Sequence, residues 1–420
     1  MTRESKSIWA NLDWISVALY LALVLMGWIS IYAAVYNEEH QSILDTTQKY
    51  GKQLIWIGTS IVLIIAILFM DGRLFEALAI PIYVVNIVLL ALVLIVGKEI
   101  SGAKSWFAFG SFSLQPSEFA KFATALAVAR YLSLTSTDFS KFSTKVISVV
   151  LFAIPALLIA LQPDMGSVLV YAAFVFVLYR EGLSGYLIFG GLWLVLLFIM
   201  SLLVDNLYLT ISISILALIF MYLFRKNKPL PLLTGVVAGA SIGFVYLAGF
   251  IFNNVLAPHQ KSRFNILLGL ETDYSAAGYN THQSLIAIGS GGFSGKGFLK
   301  GTQTKLDFVP EQSTDYIFCT VGEEWGYIGT SIVILLFTAL FFRIIYKAEK
   351  QKTAFSRIYG YAVASIIFIH FTINIGMAIG LLPVIGIPLP FFSYGGSSLW
   401  GFTILLFIFL KLDAYQWEIW

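Results

Sequence analysis

Apolar runs about 20 residues long, parted by short polar intervals, fill most of the 420-residue chain, and that is the length a helix needs to cross a bilayer. The runs fall at 14–36, 53–70, 76–96, 116–133, 145–161, 166–180, 184–204, 207–224, 231–252, 326–346, 357–382 and 397–413. This pattern predicts an all-α polytopic membrane protein with about twelve spans. One interval breaks the rhythm. From about Phe252 to Trp325 the chain turns polar and carries Arg263, Glu271, Asp273, Lys296, Lys305, Asp307, Glu311 and Asp315. Connections of that length in a compact protein are usually functional. Residues 253–325 are therefore expected to hold the chemistry, and the rest of a single membrane domain (1–420) to scaffold it. Gln283 to Ile288 reads as a short amphipathic helix entering the glycine run 289–297. A second irregular stretch, 380–398, sets Pro383, Pro388 and Pro390 among glycines and apolar residues. Such a broken or re-entrant segment survives at membrane depth only when buried or lining a cavity.

The basic residues give an orientation. Arg3, Lys6, Arg73, Arg130, Lys141, Lys145, Arg180, Arg225, Lys226, Lys228, Arg343, Lys347, Lys350, Lys352, Arg357 and Lys411 all fall on one side of the predicted spans. The short loops of the other side hold only Lys49, Lys52, Lys98 and Lys104. The bias predicts both termini in the cytoplasm and the long interval outside it. Composition agrees: 59% of residues are hydrophobic and 12% charged, against roughly 25% charged in soluble domains. A net charge of +3 without a dense basic run argues against nucleic acid as a partner. The single Cys319 excludes an internal disulfide, and His40, His259, His282 and His370 form no metal-binding pair in sequence. The first apolar run is long enough to span and is expected to remain as an anchor rather than be cleaved.

Four places outside the long interval could carry chemistry. Aromatic residues alternate with small and polar ones over 102–114, as in a strip lying in the membrane interface. Pro116 then suits the first turn of a helix, which puts Glu118 and Lys121 on one face within the membrane. Ionisable groups there are either functional or a mutually neutralising pair. Asp164, after Pro163, either caps the next helix or faces a cavity. Lys52 is either an interfacial anchor or a cavity cation. Asn374 suits a hydrogen bond between helices. The glycine run resembles a nucleotide loop only at first glance. Ser290 stands where the motif needs its first glycine, and Gly297 follows Lys296 where it needs Ser or Thr. It reads instead as sharply bent backbone whose amides could meet an anionic group.

Several segments resemble motifs of one family: Gly-Ala-Lys-Ser-Trp (102–106), Gln-Pro-Ser-Glu-Phe-Ala-Lys (115–121), Gln-Pro-Asp-Met-Gly (162–166) and Gly-Tyr-Asn-Thr-His-Gln-Ser (278–284). Phe-Val-Pro-Glu-Gln-Ser-Thr-Asp-Tyr (308–316) and Leu-Pro-Val-Ile-Gly-Ile-Pro-Leu-Pro-Phe-Phe-Ser-Tyr-Gly-Gly-Ser-Ser (382–398) extend the match. Nearly the whole chain is similar to the SEDS family (shape, elongation, division and sporulation). The resemblance implies a peptidoglycan glycosyltransferase of the bacterial cytoplasmic membrane that polymerises lipid II in cell-wall elongation. It implies a class B penicillin-binding protein as partner and a divalent cation, Mg2+ or Mn2+. The family's essential aspartate corresponds by spacing to Asp273, with Tyr274 where the family usually has proline, and Glu271 is the competing carboxylate. Lys52, Lys121, Arg263 and Trp106 are then candidates for substrate and pyrophosphate binding, with Glu118 and Asp164 orienting them or the cation. The family has about ten spans, so a pair at 184–224 looks inserted. Two rival readings follow from the spans and broken segments alone: a lipid-precursor flippase or transporter, and a scaffold without catalysis.

Overall fold

In the computed structural model the described residues are 8–36, 42–100, 102–110, 112–134, 140–227, 229–254, 256, 258–270, 278–306 and 308–419. Internal contacts divide the chain into two compact units, residues 1–182 with 280–420, and residues 183–279. In chain order the first unit opens with α1 (Ile8–Asn11), α2 (Trp14–Val35), α3 (Lys49–Phe69), α4 (Gly72–Ala77) and α5 (Ala79–Val96). An antiparallel meander follows, β1 (Lys98–Ile100), β2 (Ala103–Phe109) and β3 (Phe112–Leu114). Then come α6 (Pro116–Leu132), α7 (Phe142–Ala160), α8 (Met165–Val170) and α9 (Ala173–Arg180). The second unit holds α10 (Gly185–Leu203), α11 (Asn206–Leu223), α12 (Pro229–Asn254) and α13 (Pro258–Leu267). The first unit resumes with α14 (Tyr279–Ser290), α15 (Thr302–Lys305), α16 (Ile317–Glu349), α17 (Ala354–Ala378) and α18 (Gly396–Ile419).

Every run predicted to span lies on these helices. Among the described residues ten of them are long and apolar enough to cross a membrane; α6, with 17 residues, and the broken pair α8–α9 are shorter. Two expectations change. The strip at 102–114 is the meander itself, so its aromatic alternation is the two-residue period of a strand, and the all-α class gains a small sheet. The long interval is structured for much of its length, by α13, the extended helix α14 and the short α15.

In the first unit α17 and α18 run through the centre, with 61% and 83% of their membrane windows buried. Helix α6 packs against both and against α5, and its alanines (Ala120, Ala123, Ala125, Ala127, Ala129) are fully enclosed. Without a hydrophobic drive inside lipid, small residues that let backbones approach are what hold such an interface. At one end of this unit, away from the meander, ion pairs join the helices: Arg343 to Asp13, Lys347 to Asp413, Arg180 to Glu349, Arg357 to Glu181 and Arg130 to Glu76. Their cations are among those assigned to one membrane side from the sequence. In the second unit α10, α11 and α12 pack through Leu197, Leu209, Ile213 and Val245, and Trp193 Nε1 donates to Ser241 Oγ at 3.0 Å. Most of the apolar surface of α10 is exposed.

Helix α16 is broken near its start by Gly326, at φ 62 and ψ −154. The break lets the glycine run dock. Tyr327 N donates to Gly292 O at 2.9 Å, and the amides of Lys296 and Gly297 reach the carbonyls of Glu323 and Glu324, both at 3.0 Å. A Cβ on residue 326 would lie 2.3 Å from Gly295 N, besides forcing a left-handed backbone on an L-residue. Gly326→Ala is therefore expected to lower stability by about 1–3 kcal/mol, the usual cost of such strain. Thermal unfolding of the purified protein in detergent would show it as a drop in midpoint; an unchanged midpoint would refute the tight docking.

Candidate active site

The meander end of the first unit gathers four irregular segments into one polar mouth. The turn at 311–316 sits on the broken segment: Tyr394 N donates to Ser313 O at 2.9 Å, and Ser393 Oγ to Thr314 O at 2.6 Å. Asn374 of α17 donates to both, to Asp315 O and to Ile387 O, each at 2.8 Å. It thus ties two loops together rather than two helices, which corrects the sequence expectation. Helices α2 and α3 close the side. Gln312 Nε2 donates to Ala34 O at 2.9 Å, and Gly395 N to Gln53 Oε1 at 3.2 Å. A Cβ at Gly27 would meet Phe392 O at 2.4 Å, so α2 lies directly on the backbone of the broken segment.

Asp164 takes the capping role and adds a bond to a second motif. Its carboxylate caps α8, accepting from Ser167 N at 3.0 Å and Ser167 Oγ at 2.7 Å, and it also accepts from Gln115 Nε2 at 3.0 Å. Gln115 precedes Pro116 at the start of α6, and its amide reaches Ser397 Oγ at 3.2 Å. Asp164 thereby joins the motifs at 115–121, 162–166 and 382–398.

Asp315, which sequence reasoning quoted only within its motif, faces the same mouth. Burial, with the like charges of Glu311 and Asp164 added, pushes its carboxyl from 3.8 up to about 7. A carboxyl raised in the folded state holds its proton more tightly there than in the unfolded chain. Its contribution to stability is fully present below the unfolded value and is lost as pH rises through about 7. Asp315→Asn, which removes the charge, is expected to raise the unfolding temperature at pH 8, and the difference should vanish near pH 4. A gain equal at both pH values would point to packing instead.

Glu118 and Lys121 pair where α6 packs on α17 and α18. They are 3% and 2% exposed, with Lys121 Nζ donating to Glu118 Oε2 at 2.7 Å. Lys121 Nζ also lies 3.1 Å from His370 Nε2 and 4.5 Å from the centroid of Phe402. An ammonium only donates, so Nε2 accepts and Nδ1–H is left to donate to Pro388 O at 3.2 Å. A histidine dismissed as a metal ligand in the sequence is therefore the link from α6 through α17 to the broken segment.

The other predicted residues are placed as follows. Lys52 is half-buried on α3, one turn beyond Lys49. Lys49 was missed; its ammonium donates to Ser313 Oγ at 2.9 Å and lies over the Tyr394 ring at 5.9 Å. Trp106 is half-buried on β2 opposite Lys98. Arg263 is half-buried on α13 of the second unit. Asp273 and Glu271 lie outside the described residues. The amides beyond the glycine run do meet an anion, but it is the chain's own: buried Glu323 accepts from the amides of Thr302, Gln303 and Thr304 and from Lys296 Nζ at 2.7 Å.

A divalent cation needs several hard oxygen ligands. Among the described residues no group of three or more His, Cys, Asp or Glu side chains converges to hold one. Asp164 and Asp315 are carboxylates that the described residues bring to this end, a pair of the kind that holds Mg2+ only together with substrate phosphates.

The family model FTSW_RODA_SPOVE, described as a cell cycle protein, matches residues 13–211 and 191–418. The chain is 32% identical to the peptidoglycan glycosyltransferase RodA of Treponema pallidum, over 97% of this chain and 98% of that one. It is 33% identical to the peptidoglycan glycosyltransferase MrdB of Escherichia coli K12, over 94% and 92%. Among solved structures it is similar to a chain of a peptidoglycan synthase complex that coordinates polymerization and crosslinking, with a TM-score of 0.68 at 26% identity over 96% and 99% of the two chains. The fold also matches the rod shape determining protein RodA of Thermus thermophilus, with a TM-score of 0.61 at 24% identity over 96% of each.

Proposed function

The chain belongs to the FTSW_RODA_SPOVE family of cell cycle proteins, and from that premise we propose that it is a peptidoglycan glycosyltransferase of the bacterial cytoplasmic membrane. Its substrate is lipid II, and its role lies in cell-wall elongation and shape. The observation that carries this reading beyond family membership is the mouth itself, where four motif segments are tied together by hydrogen bonds at one end of the helices. A transporter would instead place its ionisable groups at the midplane between repeated halves.

The reaction joins an acceptor sugar hydroxyl to the anomeric carbon of a second sugar. The hydroxyl loses its proton, the new C–O bond forms, and the bond to undecaprenyl-pyrophosphate breaks with inversion. Asp273 takes the proton. Positive charge placed in advance stabilises the departing pyrophosphate; Lys49, bonded to Ser313 Oγ, and Lys52, one turn further along α3, are the cations proposed to supply it. Asp164 and Gln115 keep the start of α6 and the broken segment in register, so the rim does not collapse on the substrate. The apolar flanks of the spans leave the lipid tail in the membrane. The crosslinking partner is a class B penicillin-binding protein, which the similarity to a chain of a polymerizing and crosslinking complex supports.

The test is polymerisation of lipid II by the purified chain with its cognate partner, read as glycan strands on a gel. Strands establish the enzyme. Their absence, together with labelled lipid II crossing proteoliposomes, would replace it with a transporter.

A further inference from the structure

The end of the first unit opposite the mouth holds a pocket of about 230 Å3 lined by Arg343, Tyr346, Lys347, Lys350, Asp413 and Gln416. We infer that it binds the phosphate of an anionic phospholipid head group in the leaflet at that end. The site is independent of the glycosyltransferase reading.

Three cations at the end of α16, Arg343, Lys347 and the C-cap Lys350, stand four and three residues apart and so share one face. Two are fixed by carboxylates from elsewhere in the chain, Asp13 at the N-cap of α2 and Asp413 on α18. Arg343 grips Asp13 through Nη2 at 2.6 Å and Nε at 3.0 Å, and Lys347 donates to Asp413 Oδ2 at 2.9 Å. Gln351 and Gln416 donate to the other oxygen of Asp413, at 2.7 and 3.0 Å. Lys350 has no carboxylate partner among the described residues; it lies 4.1 Å from the Tyr346 ring centroid and donates to its hydroxyl. The pocket therefore keeps one positive charge in excess, next to cations already immobilised by others. Simple snorkelling of lysines into the interface needs neither the pocket nor the bracing carboxylates.

The surroundings select a lipid over a free anion. From Tyr346 toward the membrane middle the exposed residues of α16 are Phe342, Ala339 and Leu335, at steps of three and four. This apolar lane begins at the pocket and can take an acyl chain along the helix. Basic pockets between helices above such surfaces are a recurring head-group site.

The test uses the full-length protein, delipidated in detergent. Native mass spectrometry would follow titration with phosphatidylglycerol, phosphatidylcholine or inorganic phosphate, for the wild type, Lys350→Ala and Lys350→Arg. Lys350→Ala leaves both ion pairs in place, and an unchanged unfolding midpoint would confirm that it folds. The expected result is retention of phosphatidylglycerol over phosphatidylcholine, weakened about fivefold in Lys350→Ala and kept in Lys350→Arg, the effect of about one cation near a lipid surface. Equal retention of the two lipids, or no effect of Lys350→Ala, would overturn the proposal. Displacement of the lipid by inorganic phosphate at matched concentration would also overturn it, in favour of a soluble anion.

Discussion

Asp273→Asn is expected to abolish strand formation from lipid II, lowering the rate by about 10²–10⁴, the usual contribution of one positioned general base. The amide has nearly the same shape and still accepts a hydrogen bond, but it cannot take a proton from the acceptor hydroxyl. Binding of lipid II and of the crosslinking partner should persist, since neither depends on the proton transfer. The loss therefore belongs in kcat, with little change in KM. Glu271 supplies the control: Glu271→Gln should retain most activity if the base is placed correctly two residues later. The reverse pattern would move the base to Glu271. Loss in both variants, with partner binding also lost, would mean that 271–277 is needed for assembly and would leave the base unassigned.

The residues that sequence alone located best were those whose chemistry is local. Pro116 sets the start of α6, and the three-residue step to Lys121 gave the Glu118 pair before any contact was known. Asp164 was legible for the same reason, because a cap is decided within one turn. What escaped depends on contacts across hundreds of positions. Lys49 meets Ser313, and His370 lies between Lys121 and Pro388; neither leaves a periodic signal in its own segment. The meander escaped because alternation over a few residues suits an interfacial strip as well as a strand. The glycine run shows the opposite failure. It is expected to bend sharply, and it does, but the amides that could meet an anionic group are spent on the broken start of α16, and the neighbouring amides of 302–304 on Glu323. Sequence can say that a backbone bends; only the fold says which acceptor receives it.

Lys121→Met is expected to destabilise the protein by about 3–5 kcal/mol, because it strands the Glu118 carboxylate without its cation in a dry interior. The same change takes the donor from His370 Nε2 and so loosens the link to Pro388. Glu118→Gln combined with Lys121→Met removes both charges and keeps the volume, so most of that stability should return, as it does when buried pairs are replaced by neutral groups of similar size. The double variant also separates two roles for the pair. A folded double variant that polymerises lipid II normally would make the pair a structural tie between α6, α17 and the broken segment. A folded double variant without strands would show that the buried charges are needed for the reaction as well as for the fold. Thermal unfolding in detergent and the glycan-strand assay, run on the same preparations, read the two quantities separately. If the single variant unfolds no sooner than the wild type, the ion pair is not dry and water reaches it.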